Sequence, residues 1–151
     1  MLGSLARWLR LLGYDTLYCE TQPDNEILKQ IRDRILLSRD KELLTRARNR
    51  GYHAVNPGSG SIRSMLHRLK EELGIKFIAN PDHSRCAQCN STLIEKNRYQ
   101  VQGKVPLGSL RNHDRFWQCT NPQCQQIYWQ GRHWTRIQNT LRQVELDTST
   151  V

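Results

Sequence analysis

Four of the five cysteines stand in two short hooks. "RCAQCN" (85–90) holds Cys86 and Cys89, and "WQCTNPQCQQIYW" (117–129) holds Cys119 and Cys124. The pattern is Cys-x2-Cys, a long gap, then Cys-x4-Cys. Short internal spacing lets each hook present two sulfurs to one ion. Two hooks complete the tetrahedral set that zinc takes, with Zn–S at about 2.3 Å. Four thiolates close the coordination sphere, so the expectation is one structural Zn2+ without an open position for water. The alternatives are a redox pair or free thiols, and His83 is a nearby spare ligand. Cys19, at the end of an apolar segment, is expected to be an inert core thiol.

Two carboxylates offer a second kind of chemistry. Asp40 follows the apolar run "ILLS", and Asp24 opens "DNEIL". Functional groups of parallel α/β sheets collect at the carboxyl ends of strands. Hard carboxylate oxygens there suit Mg2+ or Mn2+, which can orient a water and stabilise charge on a phosphodiester during hydrolysis. The structural alternative is capping: each Asp also stands where a helix would begin.

The chain carries 23 basic and 14 acidic residues, a formal charge of +9. Residues 1–80 hold 14 basic and 9 acidic side chains, and residues 81–151 hold 9 and 5, so the excess is spread along the chain. Four thiolates and one Zn2+ contribute about −2, which leaves roughly +7. Such a balance favours polyanions, above all nucleic acid. In the carboxyl third, Arg98, Lys104, Arg111 and Arg115 can follow a phosphate backbone across a ribbon. Trp134 interleaves with Arg132, His133 and Arg136, a pattern suited to single-stranded RNA, where bases stack on rings and cations meet phosphates. Trp117 and Trp129 are expected to pack a small core instead. Trp134, Ile137 and Leu141 share one face of a helix, "HWTRIQNTLRQV", and can dock it.

The elements that must position these groups follow from periodicity. "SLARWLRLLGY" places Leu5, Trp8, Leu9 and Leu12 at helical spacing, with Gly13 at the helix end. "YDTLYC" (14–19) predicts a strand. "QPDNEILKQIRD" predicts a helix, "RILLSRD" a strand, "KELLTRARNRG" a helix, "YHAVNP" a strand and "SIRSMLHRLKEELG" a helix closed by Gly74. Alternating strands and helices with short connections indicate α/β layering around a parallel sheet. Between the hooks, "STLIEKNRYQVQGKVPL" has β-type residues and turn signals at Asn97, Gly103 and Pro106, which predicts strands joined as a hairpin. The division expected is 1–80 and 81–151, with a disordered end at "ELDTSTV". No stretch reaches the roughly 18 consecutive apolar residues of a membrane span. "MLGSLARWLRLLGYD" carries Arg7 and Arg10 inside its apolar pattern and lacks a signal peptide's layout. A cytoplasmic protein is expected.

"MLGSLARWLRLLGYDT", "DNEIL", "ILLSRDKELL", "RCAQCN" and "IYWQGRHW" occur in an order that resembles a bacterial and archaeal family. It is the PIN-like ribonuclease domain with a fused zinc ribbon, named after the carboxyl-terminal part of the Mut-seven exonuclease. The resemblance covers about residues 1–137. It implies a PIN-like parallel sheet flanked by helices, a small β-rich zinc ribbon with a carboxyl-terminal helix, and metal-dependent hydrolysis of RNA assisted by the ribbon. The family's acidic positions fall on Asp24 and Asp40, Ser38 matches a position that is usually Thr or Ser, and the zinc ligands fall on Cys86, Cys89, Cys119 and Cys124. Family members resemble "D-x-M-L-G-x-L-A-R-W-L-R" after an apolar strand, and this chain begins at the Met of that motif. The expectation is therefore a sheet lacking its first strand and an acidic site lacking its first Asp, with weak or no cleavage. Three explanations stand: a fragment or misplaced start, replacement of the strand by rearrangement or a partner, or a non-catalytic RNA-binding adaptor.

Overall fold

The computed structural model describes residues 2–149. In chain order its elements are α1 (Gly3–Leu11), α2 (Asp24–Gln30), β1 (Leu36–Leu37), α3 (Lys41–Asn49), β2 (Ala54–Val55), α4 (Ile62–Leu73), β3 (Leu93–Asn97), α5 (Leu107–Asn112), β4 (Arg115–Cys119), β5 (Ile127–Tyr128) and α6 (Arg132–Ser149). The fold is mixed α/β, with a parallel pair and a separate antiparallel sheet. Two compact units form. One holds Met1–Leu5 and Tyr18–Ile75, the other Ala6–Leu17 and Lys76–Val151. Among the described residues no helix is long and apolar enough to cross a membrane.

In the first unit β1 and β2 pair in parallel, Leu36 opposite Ala54 and Leu37 opposite Val55. Leu28, Ile31, Leu43, Leu44, Ala47 and Ala54 form its buried cluster, with Ile27, Leu36 and Tyr52 packed against it. Helical spacing in α2 and α3 puts these side chains on one stripe. Full burial of a residue such as Leu28, at 0% exposure, is worth about 1.5–3 kcal/mol. The Arg48 guanidinium ties α3 to β2, donating to Ala54 O at 3.1 and 2.8 Å. α4 begins at an N-cap, Ser61, whose Oγ accepts from Ser64 N at 3.1 Å, and ends at Gly74 with φ of 65°. These are the caps that the sequence signals of a helix start and stop require.

The second unit contains the β3-β4-β5 antiparallel sheet. β3 and β4 pair from Leu93 opposite Cys119 to Asn97 opposite Arg115, and β4 meets β5 at Trp117–Tyr128 and Gln118–Ile127. Val101, Phe116 and Ile127 are its buried cluster, flanked by Val105, Leu110 and Trp129. Of the two tryptophans assigned to the ribbon core, Trp117 is buried at 2% and Trp129 is half-buried against the cluster. α6 buries Trp134, Ile137, Leu141 and Val144 at successive intervals of three, four and three.

Three expectations are corrected. "YDTLYC" forms no strand. Side chains bind its backbone instead: Thr16 N donates to Asn90 Oδ1 at 2.9 Å, and Thr16 Oγ1 to Tyr14 O at 3.0 Å. The segment after "KVP" forms α5 in place of the expected second hairpin strand: Pro106 stands at its N-cap with φ −58° and has no N–H to give a ladder, and the strand that pairs with β3 comes only after this helix. The end expected to be disordered is helical through Ser149: Val144 is fully buried, and Thr148 Oγ1 donates back to Val144 O at 2.8 Å. Thr150 and Val151 lie outside the described residues.

Gly13 closes α1 with φ of 91°, and a Cβ built there would stand 2.8 Å from His83 O. Gly51 also has positive φ, 82°, but a Cβ there meets nothing within 4 Å. Gly51→Ala should therefore carry only the left-handed backbone cost of about 1–2 kcal/mol, whereas Gly13→Ala adds a clash with backbone. Denaturant unfolding of both variants should show the larger loss at Gly13, and equal losses would contradict the close approach.

Candidate metal centre and nucleic-acid interface

The register of β3 and β4 brings the two hooks together. Cys86–Cys89 precedes β3, Cys119 ends β4, and Cys124 lies in the turn before β5. Each hook is a turn stitched by its own backbone. Asn90 N donates to Cys86 O at 2.8 Å and Cys86 N to Ser91 O at 2.8 Å. Cys124 N and Gln125 N both donate to Asn121 O at 3.0 Å, and Cys119 N to Gln126 O at 2.8 Å. The residue after the second cysteine of each hook is left-handed, Asn90 at φ 70° and Gln125 at φ 53°. That reversal turns the chain back after each sulfur pair.

The four Sγ atoms lie within 4.8 Å of one another. Cys86 and Cys124 are 3.7 Å apart, Cys89 and Cys119 3.4 Å. A tetrahedron with Zn–S of about 2.3 Å has S–S edges of about 3.8 Å, so the set is positioned to hold a metal ion. All-thiolate, four-coordinate donation suits zinc. His83 is not part of the cluster. Outer contacts orient the sulfurs: Tyr128 Oη stands 3.2 Å from Cys86 Sγ and accepts from Ala87 N at 3.1 Å, while Asn121 N donates to Cys119 Sγ at 3.4 Å. Burial pushes the Cys119 thiol up to about 12, and the neighbouring Cys89 and Cys86 add to it. A divalent cation removes that penalty by favouring the thiolate.

In the first unit Ser38 follows β1, and its N–H donates to Val55 O at 3.2 Å. Ser38 Oγ accepts from Asp40 N at 3.1 Å. Asp40 is the N-cap of α3, with Oδ1 accepting from Glu42 N at 2.8 Å and Leu43 N at 3.1 Å. Asp24 is the first residue of α2 after Pro23, and among the described residues no strand precedes it. Its Oδ2 accepts from Arg46 Nη1 at 3.0 Å, and Arg46 Nη2 also bonds Asn25 Oδ1. Each acid thus keeps one oxygen outside these bonds. Among the described residues the four thiols are the one group of three or more potential ligands, and neither Asp24 nor Asp40 belongs to such a group.

The basic residues of the second unit divide sharply. Arg98 pairs with Asp114. Arg115 bridges Glu95 (2.8 and 2.9 Å) and Asp82 (2.8 Å), and its guanidinium lies 4.9 Å from the centroid of the Trp117 ring. Trp117 Nε1 completes this network by donating to Asp82 Oδ1 at 3.0 Å. Bonds from Trp117 and Arg115 hold the Asp82 carboxyl below its ordinary value, and the Arg115 bond does the same for Glu95. Arg115 is therefore a surface clamp rather than a free phosphate contact. Trp134 is buried at 9%, so its ring faces cannot receive a base; this corrects the stacking role expected for it. Lys104, Arg111, Arg132, His133 and Arg136 are exposed.

Sequence reasoning missed Arg10, Asn90, Asp82 and Tyr128. Asn90 had a signal, since Asn is enriched at left-handed positions and directly follows Cys89. Tyr128 and Asp82 are distant in sequence from the groups they orient, and nothing in the spacing marks them.

The family model of the Mut7-C RNAse domain matches residues 1–141. No curated protein and no solved structure gives a match.

Elemental analysis should find one zinc per chain. Cys119→Ser should lower zinc affinity by more than tenfold and loosen the second unit, seen as faster amide exchange at 115–128, while exchange at 43–47 is unchanged. Acid stability gives an independent test of the clamp. Depressed carboxyls contribute stability that is present above their ordinary pKa of about 4 and lost as pH falls through their lower folded values. The stability difference between the parent and Arg115→Ala should therefore be largest at neutral pH and shrink below about pH 4. A difference that stays constant from neutral to acid pH would remove the ion-pair explanation.

Proposed function

We propose, from the premise that the chain belongs to the Mut7-C RNAse domain family, that it binds single-stranded RNA across the ribbon and hydrolyses it with a divalent metal at the acids of the first unit. Membership by itself ties the chain to ribonuclease or RNA-related function. The observation that carries the binding half is the division of cations described above. Lys96 and Lys104 line one open groove of about 440 Å³ with Ile94, Gln118, Thr120 and Pro122, and neither lysine has a partner among the described residues. Arg111, Arg132 and Arg136 add exposed charge on the same unit. Unpaired ammonium groups beside polar donors and a small apolar floor suit a phosphate and its ribose, with little selection among bases.

For hydrolysis, Asp24 and Asp40 are the proposed hard-oxygen donors, each with one carboxylate oxygen outside its structural bonds. Mg2+ or Mn2+ bound there would supply charge stabilisation at the phosphate and an activated water. The chain's own contribution is positional. Ser38 Oγ and the α3 backbone fix the Asp40 carboxylate, and Arg46 fixes that of Asp24. A non-catalytic RNA-binding role is the second reading. It is favoured by the same contacts, since cap and ion pair account for both acids without a metal.

Binding of a labelled single-stranded RNA should weaken with salt at a slope of about −0.7 per neutralised phosphate. Lys96→Ala with Lys104→Ala should flatten that slope by one to two phosphates, on the order of 0.7–1.4 in slope, whereas Arg115→Ala should leave it unchanged. An equal effect of both would remove the groove from the interface. Cleavage should require Mg2+ or Mn2+, and Asp40→Asn should abolish it without loss of folding or RNA binding, because Asn caps a helix about as well as Asp. Retained cleavage by Asp40→Asn would displace the active site, and RNA binding without cleavage under any divalent ion would establish the binding-only reading.

A further inference from the structure

Arg10 is the one charged side chain buried among the described residues, at 8% exposure. Its partners are carbonyl oxygens. Nε donates to Thr16 O at 2.9 Å, and Nη1 to Ala87 O at 2.9 Å and Gln88 O at 3.4 Å. No carboxylate pairs with it among the described residues. Burying a guanidinium is strongly unfavourable unless charge of opposite sign lies near, and carbonyl dipoles meet only part of the demand. Ala87 and Gln88 are the two residues between Cys86 and Cys89. The hook that holds the guanidinium is thus part of the thiol cluster, which would carry about −2 with zinc in place, and the carboxylate of Asp15 reaches the same hook only through Asn90.

We infer that Arg10 is the counter-cation of the four-thiolate centre, and that zinc capture and the docking of residues 6–17 are one cooperative event. The inference rests on the metal centre and is independent of the RNA reading. Further bonds join the same two segments. Arg85 N donates to Arg10 O at 2.8 Å, and Ser84 Oγ to Leu11 O at 2.5 Å. Asn90 links both sides. Its backbone N–H closes the first hook onto Cys86 O, its Oδ1 accepts from Thr16 N at 2.9 Å, and its Nδ2 donates to Asp15 Oδ1 at 2.7 Å. Zinc fixes the first hook, the hook fixes the carbonyls of Ala87 and Gln88, and those carbonyls hold the guanidinium. In the other direction, the guanidinium lowers the electrostatic cost of gathering four thiolates. A metal site in the carboxyl half thus governs order in an amino-terminal segment about 75 residues away in sequence, as the 77-residue separation of Arg10 and Ala87 records.

Two measurements on the full chain test this. Chelator competition would compare zinc affinity in the parent, Arg10→Lys and Arg10→Met. Backbone amide exchange would compare zinc-loaded and chelator-stripped parent protein. Arg10→Met should lose tenfold or more in zinc affinity. Arg10→Lys should fall between, because an ammonium keeps the charge but lacks the planar fork that spans Thr16 and the hook. The loss should change little with salt, since a buried charge is weakly screened. Stripping zinc from the parent should speed exchange at 6–17 and leave 43–47 protected. Parent-like zinc affinity in Arg10→Met overturns the counter-cation role, and protection retained at 6–17 after stripping overturns the coupling. If Arg10→Met does not fold, parent-like zinc affinity in Arg10→Lys overturns the role of the guanidinium, and the stripped parent decides the coupling. Absence of metal from the purified protein overturns the centre and this inference together.

Discussion

Four sulfur atoms within 4.8 Å of one another are the constraint that organises the second unit. Thiolates that close repel, and as thiols they make only weak contacts. A divalent cation converts the arrangement from an electrostatic cost into a cross-link between two hooks. The local geometry is consistent with that demand at every level. Left-handed Asn90 and Gln125 turn each hook, the β3–β4 register sets their separation, and Tyr128 and Asn121 aim individual sulfurs. The cluster under the β3-β4-β5 sheet is small, Val101, Phe116 and Ile127 with their flanking side chains, while α6 buries a separate stripe of Trp134, Ile137, Leu141 and Val144. A sheet with so small a cluster gains from a cross-link, and the four thiols are positioned to hold a metal ion that would provide one.

Charge is organised by the same logic of pairing. The formal +9 gives no indication of which cations are available. Arg98 and Arg115 face carboxylates, Arg48 and Arg10 serve backbone carbonyls, and Arg46 serves Asp24 and Asn25. Lys96 and Lys104 remain without partners on one groove. Arginine's fixed fork explains the division: it bridges two acceptors at once and is drawn into structure, while the flexible, strongly hydrated ammonium stays in solvent. A polyanion would therefore be met mainly by lysines and by the exposed arginines of α5 and α6.

In the first unit, Asp40 shows how one residue can fit two roles without contradiction. A cap fixes the carboxylate by bonds to one oxygen and leaves the other outward. Asp24 is fixed differently, by a cation rather than by backbone donors. The two acids are thus held by contacts that also stabilise α2 and α3.

Much of this was legible in the residues. Hook spacing pointed to the thiol cluster, apolar periodicity to α1 through α4 and α6, and the "ILLS" and "YHAV" runs to the parallel pair, because each is a local signal repeated over a few residues. Local signals failed where distant groups compete for the same backbone. "YDTLYC" has strand composition, but Asn90 takes the Thr16 N–H that a ladder would need. Arg115 reads as a phosphate contact until Glu95 and Asp82 fold beside it, and Trp134 as a stacking ring until α6 turns it inward. Arg10 is the extreme case. In sequence it is one of two arginines in an amphipathic helix, and only the fold places it on the carbonyls of a hook 77 residues away. The sequence by itself determined which groups can do chemistry, since ligand type and periodicity are properties of short segments. Tertiary structure decided which of them are free to do it, because burial and pairing depend on groups that the chain brings together only on folding.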